Sequence, residues 1–358
     1  MIRFLLALLA LTFAAHPALA APGTAVQKGR IVQGTAQKPC KVDYAYKWLD
    51  GMKGDATGMV VDGCDIRVSF RGIELAKPPE SPLGVAKYVV VRNSTFSLVR
   101  PATPATAIPT GIQCKWGESI LIENVTATGF QAVPGKGYAN GDGFGSEYCI
   151  GLTYRNVTAS DNANGGFDDK AHRVLYHNTL SARNDYGYRM WWRGPGNFTG
   201  TTMTCEDNRV SCLHLMAGTK SGAAHATIDH LVVHFAKGAK ITPILIAQPG
   251  TALTVGRCTI TADETPSAPV AFGGTKASRK LGPGCMDAAG NIIWSKPKPS
   301  AAAAVAAVPQ RGINLGEVLA DGDGDGLIVL SNKAADRLKL PRGTVLKAWG
   351  GMRYAIIR

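Results

Sequence analysis

Residues 143–191 contain one five-residue pattern three times: Gly-Phe-Gly-Ser-Glu at 143–147, Gly-Phe-Asp-Asp-Lys at 166–170 and Gly-Tyr-Arg-Met-Trp at 187–191. The aromatic residue of the pattern recurs after 23 and then 21 positions. A period of about 20–25 residues is typical of a solenoid, in which each repeat forms one coil stacked on the last. Equivalent residues of successive coils then lie about 4.8 Å apart. We therefore expect the polar residues of the three segments to form one charged column on the surface of a solenoid.

A second series of strand-like segments alternates with the first, and each of its members ends in asparagine. The four clearest are Val-Val-Val-Arg-Asn at 89–93, Ile-Leu-Ile-Glu-Asn at 120–124, Leu-Thr-Tyr-Arg-Asn at 152–156 and Val-Leu-Tyr-His-Asn at 174–178. β-Branched and aromatic residues favour strands, and asparagine favours the turn that follows. A β-sandwich would instead need hairpin turns between its strands. The pattern predicts an all-β fold, a single-stranded right-handed parallel β-helix (solenoid) with a small C-terminal appendage.

The chain divides into five segments by composition. Residues 1–21 are typical of a signal peptide, because a basic start and a short apolar run precede a small-residue cleavage site. Residues 22–60 are expected to cap the first coil, since a bare solenoid end exposes strand edges. Residues 61–295 are assigned to the β-helix. Residues 296–309, rich in alanine and proline, are interpreted as a linker. Residues 310–358 are expected to form a small C-terminal segment.

The chain contains eight cysteines, which in an exported protein are most simply interpreted as disulfides. We therefore expect a secreted or periplasmic protein without a transmembrane segment. Zinc would require closely spaced Cys or His pairs, which the sequence lacks. Pairing each cysteine with its nearest neighbour is the simplest connectivity, but spacing alone does not determine it. That pairing joins Cys40 to Cys64, Cys114 to Cys149, Cys205 to Cys212 and Cys258 to Cys285.

The formal net charge of +13 indicates a negatively charged partner. Lys and Arg are spread along the chain and not gathered into a nucleic-acid-binding arm, so we expect no nucleic acid. Outside the cell, an acidic polysaccharide is the expected partner, bound by a monomer. A basic surface that only keeps the protein soluble is the alternative.

Strand alternation predicts which side chains of the repeated pattern face solvent. If the aromatic residues point into the coil, the residues that follow them point outward. The expected outward columns are Gly145, Asp168 and Arg189, and beside them Glu147, Lys170 and Trp191. Asp142 is expected in the turn before the first of these strands, near Asp168 of the next coil. Lys115 occupies the equivalent strand position one coil earlier and extends the basic character of this face.

The same residues resemble the family 9 pectate lyases. The resemblance lies in Asn-Gly-Asp-Gly-Phe at 140–144, Asn-Ala-Asn-Gly-Gly-Phe-Asp at 162–168 and Asn-Asp-Tyr-Gly-Tyr-Arg at 184–189. Members of that family are right-handed parallel β-helix enzymes that bind Ca²⁺ through aspartates of two successive coils and use a lysine of the next coil as base. The resemblance implies that Asp142 and Asp168 bind Ca²⁺ and that Arg189 stands at the position of the base.

The chain departs from the family where two adjacent aspartates are replaced by Asn164 and Gly165. Ca²⁺ prefers six to eight oxygen ligands, and its affinity depends on their charge. The resemblance therefore implies a weakened site, in which Asn164 and Asp161 would assist the two aspartates. Alternatively, Lys170 or Arg193 replaces the ion and pairs directly with a sugar carboxylate.

The reaction that the resemblance implies is β-elimination on a uronate polymer. Arg189 is the predicted base, although its high pKa makes it a difficult one, and Lys170 is the second candidate. Four residues are predicted to bind the sugar chain: Lys115, Trp191, Arg193 and Glu147.

Three other functions remain open on the same scaffold. A C5-epimerase removes the same proton and returns one to the opposite face. A family 28 glycoside hydrolase uses clustered aspartates, but Asp168 and Asp169 are adjacent in a strand and should face opposite ways. A non-catalytic envelope protein would only bind a polyanion. At the level of single residues, Asp142 and Asp168 could also be ordinary turn or surface carboxylates.

Overall fold

The computed structural model describes most of the chain between residues 24 and 296 and three strands beyond it. The described residues are 24–25, 27–35, 37–51, 54–75, 86–99, 108–132, 140–191, 197–216, 224–265, 273, 278–296, 327–329, 345–349 and 353–357. The predicted signal peptide, almost all of the predicted linker and Arg193 lie outside these residues. The predicted segment boundaries stay predictions.

The fold is all-β, as predicted, and the main body is a parallel β-solenoid. Its twenty strands pair with one another only in parallel, and the described residues include no α-helix. The strands are β1 (Thr24–Ala25), β2 (Ile31–Gln33), β3 (Cys40–Asp50), β4 (Val60–Asp62), β5 (Cys64–Leu75), β6 (Ala86–Lys87), β7 (Val90–Leu98), β8 (Thr110–Thr128), β9 (Asp142–Arg155), β10 (Thr158–Ser160), β11 (Gly165–Asp169), β12 (His172–His177), β13 (Thr179–Ala182), β14 (Tyr186–Trp191), β15 (Asn197–Glu206), β16 (Ser211–Met216), β17 (His225–Phe235), β18 (Leu245–Ala247), β19 (Ala252–Ala262) and β20 (Ser278–Leu281).

Each coil passes through three sheets that run along the solenoid. In one coil, Leu121 pairs with the first sheet's Val90, Thr126 pairs with Thr95 in the second sheet, and Ile112 pairs with Ile73 in the third. Strands such as β8 are long because they continue round the coil from one sheet into the next. From here the third sheet means the ladder through Ile73, Ile112, Phe144, Phe167, Tyr188 and Leu213.

The predicted asparagine ladder forms the turn between the first and second sheets. Asn93, Asn124, Asn156 and Asn178 all have φ near +50°, a left-handed conformation that asparagine tolerates better than most residues. The side-chain amide of each later member donates to the side-chain oxygen of the one before it, at 3.0, 3.1 and 2.8 Å in chain order. The ladder therefore satisfies side-chain hydrogen-bonding groups from coil to coil at a turn that the backbone makes repeatedly.

Aromatic side chains fill the interior behind the third sheet, as the alternation predicted. Phe144, Phe167 and Tyr188 are fully buried, and their rings stack at centroid distances of 5.2 and 4.9 Å. The rings of Tyr154 and Tyr176 stack on each other at a centroid distance of 5.4 Å. This second stack contacts the first one in edge-to-face (T-shaped) geometry. Such buried aromatic pairs contribute packing energy beyond the area they bury. The residues after the stacked aromatics are thereby turned outward.

Four disulfides join neighbouring parts of the solenoid, and they are the nearest-neighbour pairs: Cys40–Cys64, Cys114–Cys149, Cys205–Cys212 and Cys258–Cys285. Disulfides of this number are typical of oxidising compartments and fit a protein exported to the periplasm or the medium. No helix among the described residues has the length and apolar character needed to cross a membrane.

The C-terminal segment contains a small antiparallel sheet. It consists of β21 (Leu327–Val329), β22 (Val345–Trp349) and β23 (Arg353–Ile357), with β22 in the centre.

Candidate functional site

Buried asparagines determine where the strands of the third sheet begin. Asn162, Asn184 and Asn208 are at most 3% exposed and lie in the turns that lead into β11, β14 and β16. The side-chain oxygen of Asn184 accepts from the backbone N–H of Asn162 at 2.9 Å, and the Asn208 oxygen accepts from the N–H of Asn184 at 3.0 Å. The turn of each coil is thus fixed by a hydrogen bond to the asparagine of the next coil. These bonds place the strands in register.

The register brings the predicted outward column together. Gly145, Asp168 and Arg189 are paired neighbours in successive strands, and the next neighbour after Arg189 is His214. Adjacent members are therefore one strand spacing apart, about 4.8 Å. Asp168 and Arg189, 21 positions apart in sequence, form an ion pair, with Arg189 Nη1 3.7 Å from Asp168 Oδ2.

Lys170 lies at the centre of the charged cluster. Its Nζ is 2.8 Å from Asp168 Oδ2 and 3.6 Å from Glu147 Oε1. Burial lowers the pKa of Lys170, but Asp168 and Glu147 raise it more, so the pKa lies above its ordinary value. Lys170 is therefore protonated at neutral pH in this arrangement.

The indole of Trp191 contacts both cations of the cluster, Lys170 and Arg189. The Lys170 Nζ lies 5.3 Å from its ring centroid, and the Arg189 guanidinium carbon lies 4.9 Å from it. The Arg189 guanidinium also contacts the ring of Tyr186, at 5.1 Å. Cation–π contacts of this kind hold both basic side chains flat against the sheet.

Asp142, the first residue of β9, is fixed at the edge of this cluster by the next coil. Its Oδ1 accepts a hydrogen bond from the backbone N–H of Gly165 at 2.8 Å. A Cβ atom at position 165 would lie 2.8 Å from the same oxygen. The glycine that departs from the family pattern is therefore required by the position of the Asp142 carboxylate.

Asp142 and Asp168 influence each other's ionisation. Burial and the neighbouring Asp168 carboxylate raise the pKa of Asp142 to about 7. Burial also raises the pKa of Asp168, but Lys170 and Arg189 lower it more, and it lies below its ordinary value. Near neutral pH, Asp168 is ionised while Asp142 carries a proton part of the time. Pairs of carboxyl groups whose pKa values are driven apart are common in functional sites.

The oxygens of this cluster match the ligand preference of a hard cation. Asp168 Oδ1 and Asn164 Oδ1 are buried and have no partner in good hydrogen-bonding geometry among the described residues, and the Asp142 carboxylate lies beside them. Two carboxylates and one amide would leave most of the coordination of Ca²⁺ to water and substrate. No group of three His, Cys, Asp or Glu side chains in the described residues is arranged to hold a metal. Such a set of oxygens would hold a cation only weakly.

Asp161, also predicted for the site, pairs with an arginine outside the charged cluster. Both carboxylate oxygens of Asp161 accept from the Arg183 guanidinium, at 2.7 Å each, on an exposed turn. Binding of a metal by Asp161 would require that pair to break. Arg193 lies outside the described residues, so its role stays a prediction.

Lys115 lies on the same face, one coil before Glu147. Its Nζ is 3.3 Å from Oε1 of Glu74, a nearly buried carboxylate that the sequence interpretation had not connected with the site. The disulfide between Cys114 and Cys149 joins the two strands that carry Lys115 and Glu147.

Asp169 faces the interior, opposite to Asp168, as alternation predicted. Its carboxylate accepts hydrogen bonds from Ser146 at 2.6 Å, from Tyr154 at 3.0 Å and from Tyr176 at 2.6 Å. Burial raises the pKa of Asp169 to about 6, although these three donors lower it. Asp168 and Asp169 therefore cannot act as a hydrolase pair on one substrate.

The structure adds His214 to the site, which the sequence interpretation left unassigned. It follows Arg189 in the column, and its ring lies 5.2 Å from that of Tyr186. Burial and the neighbouring Arg189 lower the pKa of His214 to about 4, and its buried Nδ1 has no hydrogen-bond partner in the part of the chain that the structure describes. His214 is thus a neutral imidazole able to hydrogen-bond a sugar. The register to the coil after Arg189 was the signal that could have identified it.

Comparison of the chain with protein-family models, with curated proteins and with solved structures finds no match.

Proposed function

We propose that the protein is an exported polysaccharide lyase that cleaves a uronate-containing polymer by β-elimination. The observation that supports this most is the position of four residues. Asp142, Asp168, Lys170 and Arg189 come from three successive coils and lie together on one outward face. The resemblance to family 9 pectate lyases implies cation binding at Asp142 and Asp168 and proton removal at Arg189.

The charge balance of the cluster favours catalysis over simple binding. Among the described residues, Lys170 pairs with Asp168 and Glu147, Arg189 pairs with Asp168, and Asp142 adds a further negative charge when it is ionised. A groove that only captured a polyanion would carry an excess of positive charge at its centre. Here carboxylates offset the two basic side chains, and an additional cation would provide positive charge for an acidic sugar. Bound Ca²⁺ would supply that charge and, by neutralising the uronate carboxylate, acidify the C5 proton.

In the reaction, a base of the column takes the C5 proton, and the electron pair of the broken C–H bond forms the C4–C5 double bond. The C4–O bond breaks, and the leaving oxygen receives a proton. Arg189 is our candidate base, because it lies one coil beyond Asp168 and its guanidinium is held between Tyr186 and Trp191. Lys170 is the alternative base; loss of its pairing with Asp168 on cation binding would remove a cause of its raised pKa.

The test is incubation of the purified protein with several polyuronates while the ultraviolet absorbance of the unsaturated uronate is recorded. We expect product with the wild type and a loss of at least about 10²-fold with Arg189→Ala. Arg183→Ala is the matched control, because Arg183 is an exposed arginine paired with Asp161 on a turn. Activity that survives Arg189→Ala but disappears in Lys170→Gln would make Lys170 the base. Absence of unsaturated product from every polyuronate would contradict the proposal.

A further inference from the structure

A second charged cluster lies on the third sheet, toward the N-terminal coils. Its centre is Glu74, whose side chain is 2% exposed. Lys47 Nζ lies 2.5 Å from Glu74 Oε2, Lys115 Nζ lies 3.3 Å from Oε1, and the Arg71 guanidinium contacts the same oxygen. Burial raises the pKa of Glu74, but Arg71, Lys47 and Lys115 lower it more, so the group stays ionised.

This cluster carries an excess of positive charge, unlike the site around Asp168. Three cations face two carboxylates, Glu74 and Asp50, and the Asp50 carboxylate lies 3.8 Å from Lys47. Among the described residues, the cluster thus contains one cation more than it has carboxylates. The additional positive charge is available to an anionic ligand, and the side chain of Lys115 is 35% exposed.

An aromatic surface adjoins the cations. Tyr46 is 37% exposed, and its ring stacks on Phe70 at a centroid distance of 5.0 Å. The Arg71 guanidinium covers Phe70 at 4.5 Å. An exposed aromatic ring next to positive charge offers stacking for the apolar face of a sugar and pairing for its carboxylate.

The two clusters are aligned along one sheet. Glu74, Gln113, Gly145 and Asp168 are successive paired neighbours, so three strand spacings, about 14 Å, separate the rungs of Glu74 and Asp168. Between these two rungs lie Gly145, which has no side chain, and Gln113, which is buried.

We propose that Lys47, Arg71, Lys115 and Tyr46 form a distal subsite that binds the carboxylate and the ring of a second uronate of the same polymer chain. The class of ligand rests on the proposed function. A linear polyuronate carries a carboxylate on every uronate residue and can therefore reach both clusters at once. Binding at two points would favour long chains over short ones.

Two variants test the subsite without exposing Glu74. Lys115→Gln removes one positive charge and leaves Arg71 and Lys47 to balance the carboxylate. Tyr46→Ala removes the exposed ring. Lys237→Gln is the matched control, because Lys237 is a surface lysine, 82% exposed, and lies in the turn after β17.

The measurement is calorimetric binding of a disaccharide and a hexasaccharide of galacturonate, and of the same pair from alginate. We expect the wild type and Lys237→Gln to bind one hexasaccharide more tightly than its disaccharide. In Lys115→Gln and Tyr46→Ala we expect that advantage to shrink about fivefold each. An undiminished advantage in both variants would overturn the subsite, as would a wild type that binds neither series or shows no advantage of length. Length-dependent binding without any unsaturated product would instead overturn the lyase and leave the subsite standing.

Discussion

The carboxyl group of Asp142 would link proton binding to cation binding in the proposed site. Its pKa of about 7 reflects burial and the nearby Asp168, and a cation between the two would favour the ionised form. Below that pH the proton and a bound cation would compete for the same oxygens.

We therefore predict that Ca²⁺ affinity, measured by calorimetry, rises about tenfold between roughly pH 6 and pH 8. Asp142→Asn should remove most of this pH dependence. Asp161→Asn should keep it, because Asp161 pairs with Arg183 on an exposed turn. Affinity that is independent of pH in the wild type would show that Asp142 is not a ligand.

The interior carboxyl group of Asp169 affects stability instead. Its folded-state pKa of about 6 is higher than the ordinary value of 3.8, so its contribution is fully present below about pH 4 and is lost as the pH rises through 6. From this group alone we expect the free energy of unfolding to fall by roughly 2 kcal/mol between about pH 4.5 and 7.5.

Denaturant unfolding of Asp169→Asn over that pH range tests this expectation. The variant should show a correspondingly smaller fall, since its amide does not ionise. Asp185→Asn, on an exposed turn beside Arg209, should match the wild type. Equal pH dependence in the wild type and Asp169→Asn would contradict the assignment.

Sequence pattern predicted the outward column but not the partners of its members. Asp168 and Arg189 could be aligned because each follows a recognisable Gly-aromatic pair. No such pair marks Glu74, so its alignment with Gln113 and its contact with Lys115 required the actual register. Likewise, alternation predicted that Asp169 faces inward, but not that two tyrosines would donate to it.

The turns of the solenoid contain two asparagine ladders with different environments. The ladder at Asn156 is exposed and joins side chain to side chain. The ladder at Asn184 is buried, and its amide also donates to Ala159 O and Ser181 Oγ. Only the exposed ladder was evident from the sequence, because each of its asparagines ends a strand-like segment. Asn162 and Asn184 of the buried ladder belong to the site motifs and do not end such segments.

We predict that Asn184→Ala costs about 3 kcal/mol or more, because it leaves several buried backbone and side-chain groups without partners. Asn156→Gly should cost about 1 kcal/mol or less, since glycine accepts the left-handed turn and water replaces the lost bonds. Chemical unfolding of the two variants compares them. A larger loss for Asn156→Gly would contradict this ranking of the two ladders.

Over the whole molecule, the formal charge of +13 should strengthen the attraction between the protein and its polymer at long range. We predict that polyuronate affinity falls as salt rises from about 0.05 to 0.5 M, because screening shortens the range of these forces. Binding to a neutral polysaccharide of similar length is the control. Salt-independent affinity for the polyuronate would contradict an electrostatic contribution.

We propose that the outward face of the third sheet removes the C5 proton of a uronate. The most direct measurement is NMR of polyuronates incubated with the protein in D₂O, with Arg189→Ala beside the wild type. We predict signals of unsaturated chain ends with the wild type and their loss in the variant. Deuterium at C5 without unsaturated ends would indicate an epimerase. Polymers that remain unchanged, or new saturated ends without deuterium at C5, would contradict the claim.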